Sequence, residues 1–207
     1  MIKSDLFSPV ADSGVDLLSP DNFSSSINTV EREKGGVAIS DPSQGINIHD
    51  WQSSYTPSTG TIYLTNLNTS VVYTILTGVM SIAQLSFAFD SNMRPNLGYK
   101  LVDGTSKIYY YDSVIEDFIT VTLPAGAGAP KLCHDDKRDE MVLLNVTDVL
   151  IFYTLDDVLY YLLQRERFAT PHQVATLTPG TVLDKVGMSN DLRVLAQISN
   201  GEFISSP

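Results

Sequence analysis

Residues 133–136 read Cys-His-Asp-Asp, a nucleophile, a base and two carboxylates in direct succession. A thiol and an imidazole work together only within hydrogen-bond reach of each other. Neighbours in an extended chain point to opposite faces, so Cys133 and His134 are badly set for that chemistry. A zinc-type site needs several ligands at suitable spacing. His49, His134 and His172 are far apart, and Cys133 is the single cysteine. Carboxylates are more plentiful: Asp135, Asp136, Asp139, Glu140, Asp156 and Asp157. A glycosidase sets two carboxyls a few ångströms apart across the scissile bond, whereas these lie in turn-like, polar stretches of an acidic chain. There is no Walker loop, GxGxxG, GxSxG or HExxH motif, and no sialidase-type Asp box. We therefore assign no catalytic, cofactor-binding or metal-ligating residue and no cofactor, and expect a protein that is not an enzyme.

The aromatic residues offer a different chemistry. Tyr109, Tyr110 and Tyr111 are consecutive, and Tyr160-Tyr161 repeats the arrangement. Such rings could form a platform for stacking sugars. In a strand, however, Tyr109 and Tyr111 share one face and Tyr110 takes the other, so the three cannot meet one ligand. The spacing fits rings that pack against a neighbouring sheet while each hydroxyl finds a partner at a wet boundary.

The elements that would hold these residues read as β-structure. From Gly60 onward, "GTIYLTN" and "SVVYTILTG" are strands around "LNTS"; "AQLSFAFD", "NLGYKLV", "KIYYYDS" and "DFITVTLP" follow, with "DGTS" as a hairpin turn. The pattern then recurs as "PKLCHDD", "VLIFYTL", "VLYYLLQRERF" and "HQVATLT", with "DD" at residues 156–157 as a turn and "KRDEMVLLNVTD" as a longer excursion that could hold an extra strand. Self-similarity at roughly 45–50 residues is a signature of propeller blades or similar arrays. The expected fold is mainly β: antiparallel, meander-like, blade-like units covering 83–126 and 129–180 and a C-terminal hairpin, within a β domain of residues 60–207. Residues 1–59 are rich in Ser, Asp, Asn, Pro and Gly without sustained apolar period, and read as an extended arm of little regular structure. "NTVEREKGG" within it could form one helical turn.

Charge narrows the partners. The net charge of −11 supplies no cationic stripe for nucleic acid. Eight acidic against three basic side chains in residues 1–59, and eleven against six in 135–207, put the acid at the two ends. The longest apolar stretch, "VLIFYTLDDVLYYLL", is broken by Asp156 and Asp157 and is too short to span a membrane. The first residues lack the continuous apolar core of a secretory signal, so Asn68-Thr69-Ser70 and Asn145-Val146-Thr147 read as chance glycosylation matches.

The stretches "QGINIHDWQSSY", "FAFDSNMRPNLGY", "KIYYYDS", "LCHDDKRDE", "DVLIFYTLDDVLYYLLQRERF" and "VGMSNDLRVLAQI" resemble a set of small tailed-bacteriophage virion proteins over residues 45–200. The resemblance implies a structural, tail-associated component with a blade-like β body after a poorly structured N-terminal region, made in the host cytoplasm and resident in the virion. It carries over no site residue. Expected partners are other virion proteins and further copies of the chain, since blade units with open faces need cover. A host-receptor or glycan-binding module is the second reading and a propeller-type glycosidase fragment the third.

Overall fold

The computed structural model describes residues 30–32, 50–67, 69–90, 92, 94–135, 148–188 and 194–205. They form four antiparallel sheets, each built from consecutive strands in chain order. The first holds β1 (Val30–Arg32), β2 (Asp50–Thr56), β3 (Thr61–Asn66) and β4 (Val72–Leu76). The second holds β5 (Ile82–Phe89), β6 (Pro95–Leu101), β7 (Ser106–Asp112) and β8 (Asp117–Thr122). The third holds β9 (Lys131–Asp135), β10 (Asp148–Leu155), β11 (Val158–Leu163) and β12 (His172–Thr176). The fourth holds β13 (Leu183–Met188), β14 (Val194–Ile198) and β15 (Phe203–Ser205). A single 3-10 turn, Gln164–Glu166, is the one helical element among the described residues.

The mainly β, blade-like architecture expected from the sequence is the one observed, and "VLYYLLQRERF" is a strand ending in that short turn. Three expectations differ from it. The sequence pattern extends the arm to residue 59, but Asp50–Thr56 is β2, paired along its length with β3. Its Trp51 and Tyr55 pack on the sheet core; two anchors among Ser, Gln and Thr are too sparse to register as a periodic apolar pattern. Val30–Arg32 is a strand pairing with Asp50–Gln52, so no helical turn forms there. The body holds a sheet before the two repeated units and a three-stranded sheet, not a hairpin, after them. Of the excursion at 137–148, residues 137–147 lie outside the described residues and Asp148 begins β10.

The sheets stand side by side in chain order. The first strands of successive sheets are neighbours, β5 beside β9 and β9 beside β13, while β2 touches β5. Three apolar seams result. Ile62 and Leu64 of the first sheet meet Leu85, Phe87, Leu97 and Tyr99 of the second. Ala88, Ile108 and Tyr110 of the second meet Leu132, Val149, Ile151 and Tyr153 of the third. Leu150, Phe152 and Leu163 of the third meet Leu183, Val186, Ala196 and Ile198 of the fourth. This explains the unbroken apolar run of β10: its odd residues face one neighbouring sheet and its even residues the other. The second and third sheets are thus covered on both faces within one chain, whereas the sequence reading looked to other copies for that cover.

Turn chemistry fixes the hairpins. Asp156 and Asp157 both take left-handed φ angles (50° and 59°), as a two-residue turn with the right twist requires. At residues 102–104 only Gly104 does so (φ 90°), and the loop is one residue longer, closed by Leu101 N–H donating to Thr105 O. Gly98 is needed for a different reason: a Cβ there would come within 2.4 Å of Leu132 Cδ1, so β6 can lie against β9 only without a side chain.

Candidate functional site

The tyrosine run of β7 is divided between two seams. Ile108 and Tyr110 are buried toward the third sheet; Tyr109 and Tyr111 are half-buried on the other face. The Tyr110 ring meets Phe168 edge-on (centroids 4.8 Å apart), and its hydroxyl donates to Arg167 O at 3.0 Å. Tyr109 stacks on Phe118 (5.1 Å, 10° between planes), and its hydroxyl reaches Ile75 O of the first sheet at 3.4 Å. Tyr111 abuts Phe118 at 5.3 Å and lies beneath the Arg94 guanidinium, 4.1 Å from its carbon, a cation–π contact. The repeated pair behaves alike: Tyr153 stacks on Tyr160, and Tyr161 packs against Phe152 and His172. Burial pushes the Tyr109, Tyr110 and Tyr153 phenols above their ordinary pKa.

Two buried carboxylates flank these rings at the strand ends. Asp90 follows β5 and accepts from the Asn92 and Arg94 amides (2.9 Å each), from Arg94 Nε (2.7 Å) and, across the seam, from Gln164 Nε2 (3.3 Å). Asp112 ends β7 and accepts from the Val114 amide (2.8 Å) and from Arg167 Nε and Nη2 (2.8 and 2.6 Å). Arg167 and Phe168 both adopt left-handed backbone (φ 57° and 52°), a conformation costly for such side chains. The Asp112 staple and the Tyr110–Phe168 contact hold it. Burial pushes the Asp112 carboxyl up, but the Val114 amide, Arg167 and the Ile115 amide together bring it below the ordinary value. A depressed folded-state pKa contributes stability that is present above the usual carboxylate range, near pH 4, and lost as pH falls through the folded value. We expect Asp112→Asn to lower Tm by several degrees at pH 7. The gap from wild type should close as the pH drops below about 4, followed by thermal melts across pH 3–7; a gap independent of pH would show that the charge is not what matters. Sequence reasoning missed both staples; the Asp90 one had a local signal, the Asp-x-x-x-Arg spacing at 90–94 within a hairpin turn, and the Asp112 one had none.

At the opposite end of the sheets lie two adjoining clefts of about 460 Å³ each, sharing Lys100 and Gly104. One adds Asp103, Thr105 and Thr122; the other adds Gln84, Thr154 and Val182. Several polar groups there are engaged in building the loops. Ser106 Oγ donates toward Ala127 O and Gly128 O (3.0 and 2.9 Å), and Lys100 Nζ lies 3.4 Å from Ala127 O. Asp103 accepts from the Thr105 amide, which lowers its pKa.

The residues weighed for catalysis do not converge. Cys133 is buried at the seam between the third and fourth sheets, and His134 pairs with Val149 in the β9–β10 ladder. His49, Asp136, Asp139 and Glu140 lie outside the described residues. Asp156 and Asp157 form the exposed β10–β11 turn, where Asp157 Oδ1 accepts from the Gly180 amide at 3.2 Å. His172 Nε2 sits 2.6 Å from Glu166 Oε2 under the Tyr161 ring. Among the described residues, no three of His, Cys, Asp and Glu are placed to share a metal ion, and no helix is long and apolar enough to cross a membrane.

One further charged group is notable. Lys131, the first residue of β9, is only 1% exposed. Burial lowers its ammonium pKa to about 8, against the opposing pull of Asp184 on β13. The chain matches no protein-family model, and no curated protein matches it significantly.

Proposed function

We propose that the chain is a non-catalytic structural component of a tailed-phage virion, at the tail tip or in a tail adaptor or fibre, where it holds neighbouring subunits together. The observation that supports this reading over a sugar-binding platform is the fate of the tyrosines. Tyr110 commits both ring and hydroxyl to the segment 167–168 of the third sheet, while Tyr109 stacks on Phe118 of its own sheet and directs its hydroxyl to Ile75 O of the first. Aromatic stacking on a ligand requires an open ring face; here the rings and the Asp90 and Asp112 staples brace one blade against the next. Such a braced array suits a part that transmits load and presents turns at its ends.

The test is particle composition. Antibodies against residues 60–207 should label the tails of intact particles of the phage that encodes the chain, and mass spectrometry of purified particles should recover it. Its absence from purified particles would overturn the reading. A glycan array with the full chain separates the alternative: saturable binding abolished by Lys100→Ala would favour a receptor-binding module using the clefts at that end.

A further inference from the structure

Residues 51–89 contain no Asp, Glu, Lys, Arg or His, in a chain whose net charge is −11. They build β2, β3, β4 and β5, hence nearly all of the first sheet. Soluble surfaces carry interspersed charges of both signs, and charge depletion with aromatic and aliphatic enrichment marks the core of a protein–protein interface. The exposed large apolar side chains follow the same division. Leu67, Val71, Val72, Tyr73 and Met80 fall in this window, five of the nine on the described surface. Four of them lie on β4 or in the turn leading to it.

Among the described residues, β4 is the outer edge of the first sheet, hydrogen-bonded as a strand to β3 alone. Its Val72 is 58% and Tyr73 48% exposed. Edge strands in soluble proteins are ordinarily guarded by charge, proline, bulges or brevity. The other edges have such guards: Asp117 begins β8, β12 opposes a register shift in β11, and β15 is three residues long. On β4 the irregularity falls at the Ile75 end, where the Tyr109 hydroxyl takes the Ile75 carbonyl. Val71 to Thr74 have neither charge nor proline.

We propose that this edge is a self-association surface, on which β4 of one chain pairs antiparallel with β4 of a second copy about a two-fold axis, joining two first sheets into one. The occupant is argued from charge. Two copies carrying −11 each repel wherever acidic surface meets acidic surface, and the uncharged β3–β4 edge lets them approach without desolvating like charges. An isologous contact also needs a self-complementary patch, and an uncharged edge strand supplies one through its own backbone groups. This inference does not depend on the virion reading, because the edge would pair whatever the assembly is for.

Sedimentation equilibrium of the full chain from about 1 to about 100 µM tests it. A monomer–dimer equilibrium is expected, tightening as salt is raised, because added salt screens repulsion and breaks no ion pair. Val72→Lys should weaken dimerisation by about tenfold or more, and Val71→Lys should do the same in case the first variant perturbs the hairpin. Val102→Lys, at an exposed position on the opposite end of the sheets, should leave it unchanged. Near-UV circular dichroism, reporting the packed tyrosines, confirms that each variant is folded. A wild-type chain monomeric throughout the range overturns the proposal. So does a dimer indifferent to both β4 lysines, or one lost equally with Val102→Lys.

Discussion

Phe152→Ala should cost about 3–5 kcal/mol, the range for truncating a fully buried aromatic residue, and chemical denaturation followed by tyrosine fluorescence should show it. Phe152 is 1% exposed in the middle of β10 and packs with Leu150, Leu163, Val186, Ala196 and Ile198 between the third and fourth sheets. Its ring also meets Tyr161 at 5.8 Å. Neither sheet can close over the gap, because the backbone ladders of both are fixed by their own hydrogen bonds. Phe152→Ala is a cleaner probe than Phe152→Asp, whose carboxylate would stand across the ladder from the Lys131 ammonium. The loss belongs to folding of the single chain. A folded Phe152→Ala variant with wild-type midpoint, or one whose only defect is oligomeric state, would mean that this seam is not where the sheets are joined.

That distinction marks where the sequence was legible. Every strand of the second and third sheets could be read from turn residues and β-forming runs, because Asp103-Gly104, Asp156-Asp157 and Pro95 punctuate the chain strongly. The continuous apolar runs of β5 and β10 correctly signalled sheets covered on both faces. What covers them could not be read, since intrachain and interchain neighbours leave the same pattern of buried residues. β2 escaped because its inward side is carried by Trp51, Ser53 and Tyr55, and Ser53, fully buried, looks like a loop residue in text. The tyrosines fall on the expected faces, but the hydroxyl partners, Arg167 on one side and Ile75 on the other, lie 57 and 34 residues away. The Asp112 staple shares that property: Asp112 and Arg167 meet only when the second and third sheets stack.

The charge distribution has the same two-level character. The uncharged run at 51–89 is plain in the sequence, yet it becomes a statement about a surface only once β4 is known to be an edge. β5, equally uncharged, is interior and needs no further explanation. The neighbouring second sheet begins its charged positions immediately after, with Asp90 and Arg94 paired at its first turn. Residues 51–89 thereby add no charge to the repulsion between copies.

Lys131→Met should raise stability by roughly 2–3 kcal/mol below pH 8 and Tm by about 5–10 °C, through removal of a buried ammonium without loss of volume. Lys131 begins β9 at the junction of three sheets, opposite Phe152 in the ladder and facing the charge of Asp184 from β13. Burial brings its pKa from 10.5 to about 8. The folded chain therefore releases this proton at lower pH than the unfolded chain. Where the unfolded state binds more protons, stability rises with pH. The penalty is full below about pH 8 and fades as the pH climbs toward 10.5, a span worth roughly 3 kcal/mol. The buried tyrosines act in the opposite sense. Burial raises the pKa of Tyr99, Tyr109, Tyr110 and Tyr153, so their contribution is lost above about pH 10. Wild-type stability should thus climb between pH 8 and 10 and then fall, while Lys131→Met should be flat over the first interval and fall over the second. Asp184→Asn provides the control: removing the opposing carboxylate should lower the Lys131 pKa further and move the rising limb to lower pH. Denaturant midpoints measured from pH 6 to 11 decide the matter. A Lys131→Met variant less stable than wild type at pH 7, or one that keeps the climb between pH 8 and 10, would show that this ammonium is solvated or firmly paired in the folded chain.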